Sequence, residues 1–275
     1  MLIETKLSPA IGSRIENIDV RHLDTSSVMA VRDAFLRRGM LVFPEQNLVG
    51  QEVARFALLF GEIWVSKILK GLPDAPGVFE LTNYGKEAGL TEYWHHDSTY
   101  SARPPAITVL SAQEVPQWGG DTLWCSQYEI FDSLSPAMQQ MLRGLKAVHY
   151  DRHRNKQVEG SWRANTDEHT AHPVVRTHPE TGRQALFIGG QAEHFEGMTR
   201  EESHSLLTYL LGLLGRPDAS YRHRWQPGDL LIWDNRCTCH YAVHDYGTSE
   251  RVMHRVTIQG EVPALHVLGD RCQER

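Results

Sequence analysis

Short apolar stretches with a two-residue period, each closed by turn residues, recur along this chain and constrain its fold more than any other feature. The clearest is Arg251–Gln259, where Arg251, Met253, Arg255 and Thr257 alternate with Val252, His254, Val256 and Ile258. At that period the two sets lie on opposite faces of a strand. Ala106–Ser111 follows Pro104-Pro105, and Tyr221–Trp225 and Leu230–Trp233 flank the turn Gln226-Pro227-Gly228-Asp229. His172–Arg176 and Gln184–Ile188 flank HPETGR and read as a hairpin, and MLVFPEQ after Gly39 reads as a buried strand. Helical signals are fewer. They are Thr25–Arg38 with Ser26 or Ser27 as cap, Val49–Phe60, a helix opening at Ser135-Pro136, and one from Thr199 to Gly215 with Glu202 completing a capping box. Many short strands and few helices predict a mainly β chain, an antiparallel barrel or jelly roll with helices packed outside.

At 275 residues, without a repeat or linker, one domain over 1–275 is expected, large enough to bury its core without disulfides. The formal net charge of −6 argues against nucleic acid, which calls for a basic face. Four cysteines, unevenly placed, make no disulfide framework and suit a reduced, cytoplasmic setting. Leu206–Leu214 is too short to span a bilayer, and the first twenty residues do not read as a secretory signal, so no membrane partner is expected. The polar stretch Asp151–Thr170 lacks either periodicity and is expected to be a lid loop.

The chemistry begins at Trp94-His95-His96-Asp97. In extended backbone His95 and Asp97 share a side and His96 points away. A His and a carboxylate so placed can grip one metal ion, with a second His needed from elsewhere. Arg251 and Arg255 on one strand face are a poor choice for a core and a good one for anions, since a guanidinium offers a carboxylate two parallel donors. For Arg255 a structural ion pair with Asp234 competes with an anchoring role. Cys237-Thr238-Cys239-His240 lacks zinc spacing, so both cysteines read as buried fillers. Trp94, Trp124 and Trp233 read as apolar walls, and His22, His153, His169, His204 and His266 as solvated.

Taken together, GMLVFPEQ, FGEI, WHHDSTY, GGDTLWCS, HPVVRTHPETGRQALFIGG, RHRWQPGDLLIWDNR and RVMHRVTI resemble the taurine dioxygenase family, which also holds the phenoxyacetate-herbicide dioxygenases. The resemblance spans nearly the whole chain. It implies a cupin-like double-stranded β-helix, a jelly-roll variant, and an iron(II) enzyme with 2-oxoglutarate and O2 as co-substrates. By position it makes His95, Asp97 and His240 the iron ligands and the catalytic centre. Thr122, 25 residues after Asp97, and Arg251, 11 after His240, would hold the distal carboxylate of 2-oxoglutarate. Arg255, with Lys67 and Lys70 after FGEI, would meet the prime substrate, a small organic anion: a carboxylate, sulfonate or sulfate ester. Its apolar part would rest on residues such as Tyr93, Tyr100 or Leu69. Where the taurine enzyme has its pocket His, Tyr and Asn, ungapped counting finds Ser66, Leu69 and Thr91, so taurine itself is not the expected substrate. Family members often form dimers or tetramers, which leaves a homo-oligomer open. The competing reading is a metal-dependent hydrolase or isomerase on the same barrel, but such an enzyme has no use for the Thr122–Arg251 clamp. Halogenases of this type lack the carboxylate ligand, which Asp97 supplies.

Overall fold

The structure is a computed structural model and describes residues 2–65, 70–82, 91–151 and 169–266. Its largest unit is a seven-stranded mixed sheet. In spatial order it runs Ile3–Lys6, Ser13–Glu16, Met40–Phe43, Leu230–Asp234, Ile107–Glu114, Val252–Ile258 and Val78–Thr82. Only the Ser13–Glu16 and Met40–Phe43 pairing is parallel. A three-stranded antiparallel sheet places Thr122–Ser126 between Ser220–His223 and Thr238–Ala242. A second one places Lys146–Tyr150 between Ala192–Phe195 and His169–Pro173, and Val175–Thr177 pairs with Gln184–Leu186 in the expected hairpin.

Two-residue alternation decides what each face of the large sheet packs against. Leu230, Ile232, Val109, Val256, Val78, Leu41 and Phe43 join the helix residues Val31, Phe35, Val53 and Phe56 in one buried cluster. The opposite parity, Leu231, Trp233, Leu110, Met253, Met40 and Val42, joins Trp124 and Trp225 of the region around the three-stranded sheet. Each large apolar side chain so buried contributes about 1.5–3 kcal/mol. The second face therefore looks into the molecule, and the chemistry-bearing residues lie there.

The helices Thr25–Arg38, Gly50–Leu58, Pro136–Arg143 and Arg200–Gly212 stand where the sequence places them, with ends shifted by a few residues. The first is capped by Asp24, whose carboxylate accepts from Ser27 N, and not by Ser26 or Ser27. It ends at Gly39 in the left-handed region, φ +67°, which turns the chain directly into the buried strand Met40–Phe43. Ser135 and the Thr199–Glu202 capping box act as predicted. The short helix Gln127–Asp132 was not anticipated. The expected single strand His172–Arg176 is split at Val174, and His169 and Thr170, expected within the lid stretch, belong to a strand. The rest of that stretch, residues 152–168, lies outside the described residues, as does Lys67. Among the described residues no helix is long and apolar enough to cross a membrane.

Candidate metal centre

His240 reaches the site from the strand Thr238–Ala242, and His95 is tied to its backbone. His95 N donates to His240 O and His240 N to His95 O, both at 2.9 Å, in an isolated bridge whose His95 side belongs to no named strand. Extended backbone at that bridge is enough for the parity expected of a strand. His95 and Asp97 come together with His240, and the ligand atoms of all three lie within 4.8 Å of one another. His96 turns the other way, fully buried, with its ring 4.7 Å from that of Phe187.

The electrostatics suit a cation. His95 Nδ1 donates to Tyr93 O at 2.7 Å, which leaves Nε2 with the lone pair. Burial pushes the His240 imidazole well below its usual range, and His95 and Arg255 add to this against Asp97, so it is a neutral donor. Burial works against charge on Asp97, but the Arg255 guanidinium, the largest opposing influence, and the Thr108 hydroxyl hold the carboxyl well below the usual range. Two buried imidazoles, that of His240 held neutral, and a buried carboxylate match the donor set of a non-haem iron(II) centre.

Asp97 is gripped on both oxygens. Thr108 Oγ1 donates to Oδ2 at 2.7 Å and Asn235 Nδ2 to the same oxygen at 3.2 Å. Asn235 also donates to Thr108 Oγ1 at 3.0 Å and accepts from Trp233 Nε1 at 3.0 Å. Oδ1 faces His240 Nε2 at 3.8 Å and the Arg255 guanidinium at 2.7 Å. Arg255 is therefore partnered by Asp97. The alternative partner, Asp234, is taken by Arg236 and by His178 Nε2, 3.0 Å away.

Thr122 and Arg251 converge on Trp225, whose Nε1 donates to Thr122 Oγ1 at 3.0 Å and whose ring lies 6.0 Å from the Arg251 guanidinium carbon. Burial lowers the Arg251 guanidinium from its ordinary range, opposed by Tyr246, and its Nε has no hydrogen-bond partner among the described residues. A half-buried arginine with a buried, unpartnered Nε fits an incoming carboxylate. Gly120, at φ +69°, lets the Gly119-Gly120 turn approach it, since a Cβ there would stand 3.3 Å from Arg251 Cδ. Lys70 is exposed, and Thr91 is half-buried.

Trp124 and Trp233 wall His240 at ring separations of 6.5 and 5.0 Å, while Trp94 packs on Tyr241. Cys237 and Cys239 are buried free thiols, as the filler reading has it. Cys237, His178 and Asp234 form a second buried cluster, but Asp234 is already saturated by Arg236. His22, His169, His204 and His266 are exposed, as expected. Thr108, Asn235 and Trp225 carried no sequence signal of their own, although Trp225 and Asn235 both stand inside the quoted RHRWQPGDLLIWDNR motif.

Residues 4–257 match the family model described as Taurine catabolism dioxygenase TauD, TfdA family. An alkylsulfatase of Acinetobacter baylyi is 34% identical over 94% of this chain and 84% of its own length. An alpha-ketoglutarate-dependent sulfate ester dioxygenase of Pseudomonas putida is 32% identical over 92% and 88%. The crystal structure of a taurine dioxygenase from Burkholderia xenovorans superimposes with a TM-score of 0.84 at 30% identity, covering 95% of this chain and 92% of that one.

Proposed function

The chain belongs to the taurine catabolism dioxygenase TauD, TfdA family and is a 2-oxoglutarate-dependent dioxygenase, and on that footing we propose how its residues divide the work. His95, Asp97 and His240 hold iron(II). Arg251, with Thr122, binds the distal carboxylate of 2-oxoglutarate. Arg255 meets the anionic group of the prime substrate, with Lys67 and Lys70 as further cations. We read the sheets as a double-stranded β-helix forming one domain over residues 1–275. The observation that carries the reading is the joint presence of a buried two-histidine, one-carboxylate cluster and a half-buried arginine whose buried Nε is a spare donor among the described residues.

Iron(II) with 2-oxoglutarate and O2 supplies the oxidising equivalent that converts a substrate C–H to C–OH, leaving succinate and CO2. The protein binds, orients and dries the site. Thr108 and Asn235 fix Asp97 Oδ2, so Oδ1, which Arg255 contacts at 2.7 Å, is the oxygen that would turn to the metal. The Tyr93 carbonyl fixes the tautomer of His95. Trp124 and Trp233 exclude water around His240. Arg255 holds the anion so that the target carbon lies over the metal, and geometry sets the point of attack.

The alkylsulfatase and sulfate ester dioxygenase likenesses favour a sulfate ester among the small organic anions, ahead of a sulfonate or carboxylate. Hydroxylation of the carbon bearing the ester oxygen gives R–CH(OH)–OSO3⁻. Its C–O bond breaks as the hydroxyl loses its proton, which leaves an aldehyde and hydrogen sulfate. The test is a screen of alkyl sulfates, sulfonates and phenoxyalkanoates read out by succinate and aldehyde. Sulfate esters should raise succinate formation above the substrate-free rate with equimolar aldehyde. Succinate without stimulation by any anion would contradict the substrate reading.

A further inference from the structure

We propose that Trp64, Phe79 and Leu81 form the wall that holds the hydrocarbon part of the substrate, and that they select anions carrying an extended alkyl group; this rests on the reading above. The argument is one of sheet parity. Val256 and Val78 are a register pair, and both pack into the helix-side core. The neighbouring pairs Arg255–Phe79 and Met253–Leu81 therefore lie on the other face, the one that carries Asp97's partners.

The edge segment before Ser66 continues that face. Ile63 bridges Ile258 and packs against the helix-side core, so Trp64 projects to the opposite side. Trp64 N donates to Thr257 O at 2.8 Å, and its ring lies 6.4 Å from Phe79. Thr257 in turn pairs with Thr108, the residue that donates to Asp97. Trp64 thus stands two strand spacings from Thr108, roughly 10 Å. In the next row, Phe79 lies beside Arg255, which touches Asp97.

Phe79 is buried, but Trp64 is 45% exposed and Leu81 37% exposed. A single exposed apolar side chain needs no explanation. Here an indole, a phenyl and an isobutyl group stand in adjacent rows on the face of the Arg255 guanidinium that touches Asp97. An occupant complementary to both features has an anionic head at Arg255 and a hydrocarbon part lying along the wall, with the carbon between them nearest the metal. Free sulfate, or taurine with its cationic tail, would leave the wall wet.

The experiment compares butyl, hexyl and octyl sulfate in wild type, Trp64→Ala and Leu81→Ser, by kcat/KM from succinate formation and by calorimetry on the anaerobic, 2-oxoglutarate-loaded protein. In wild type each added methylene should improve binding by about fourfold while it lies on the wall. Both variants should lose most of that chain-length slope. Trp64→Ala should bind octyl sulfate about tenfold less tightly or worse. Affinity for 2-oxoglutarate and the substrate-free rate of succinate formation should stay as in wild type. A slope as steep in Trp64→Ala as in wild type overturns the wall, as does wild-type binding indifferent to chain length. A wild type that consumes no 2-oxoglutarate overturns the proposed function instead, and calorimetry still decides the wall.

Discussion

Arg255 holds Asp97 Oδ1 at 2.7 Å while Thr108 holds Oδ2 at the same distance, so the carboxylate is oriented from both sides by the protein itself. The contact with Arg255 supplies a countercharge that a metal ion could also supply. Arg255→Met should therefore destabilise the metal-free protein by about 2–3 kcal/mol, the low end for a broken buried pair because the arginine side chain is 27% exposed. The iron(II)-loaded protein should lose less. Urea unfolding of both forms checks this, and equal losses would show that the metal does not replace Arg255 as Asp97's partner.

Thr108 and Asn235 are expected to act on metal affinity through Asp97. Thr108→Val and Asn235→Ala each remove a donor to Oδ2, and each should weaken iron(II) binding by about 10- to 100-fold. Anaerobic metal titration is the measurement. His96→Ala, whose ring faces Phe187 rather than the cluster, should leave the affinity unchanged. Equal weakening in the His96 variant would refute the division between ligands and neighbour.

Arg251→Ala should weaken 2-oxoglutarate by about 30- to several-thousand-fold, since removing one partner of a desolvated charge pair costs ~2–5 kcal/mol. Metal affinity without co-substrate should hold. Gly120→Ala should fall between the two. It puts a Cβ at φ +69°, 3.2 Å from Tyr246 and 3.3 Å from Arg251, and so disturbs the arginine without deleting it. Equilibrium binding of 2-oxoglutarate ranks the three proteins, and an unchanged Arg251→Ala would remove that residue from the clamp.

Acid stability should depend on Asp234. Burial opposes its charge, but Arg236 and then His178 hold the carboxyl well below the usual range. The folded pKa thus lies below the unfolded value of about 3.9. The resulting stability is complete above about pH 4 and is lost as pH falls through the folded pKa. Asp234→Asn should cost about 3–5 kcal/mol at neutral pH, and its stability should vary less with pH below about 4. Denaturant unfolding across that range checks both, and parallel acid limbs would contradict the linkage.

Much of this was legible because local rules carried it. Side-chain parity brings His95 and Asp97 together and turns His96 away even though the segment forms only an isolated bridge. Arg255 of Val252–Ile258 faces the site because strand alternation leaves no other choice, while Arg251 stands just before that strand. Partners chosen across the fold were not legible. Arg255 finds Asp97 because the register sets its strand beside Ile107–Glu114, and Asp234 is instead satisfied by Arg236 two residues on, which sequence distance did not suggest. Gln127–Asp132 shows too few turns for a helical period to emerge, and Asp24 outcompeted the serines as cap because its carboxylate precedes the first helical residue.

The most direct test is anaerobic addition of 2-oxoglutarate to the iron(II)-loaded protein, followed by visible absorption. Wild type should develop a metal-to-ligand charge-transfer band that saturates with 2-oxoglutarate, Arg251→Ala should need far more to reach it, and Asp97→Ala should not reproduce the wild-type band. A wild-type protein that binds iron(II) but shows no such band at any 2-oxoglutarate concentration would contradict the assignment of this centre.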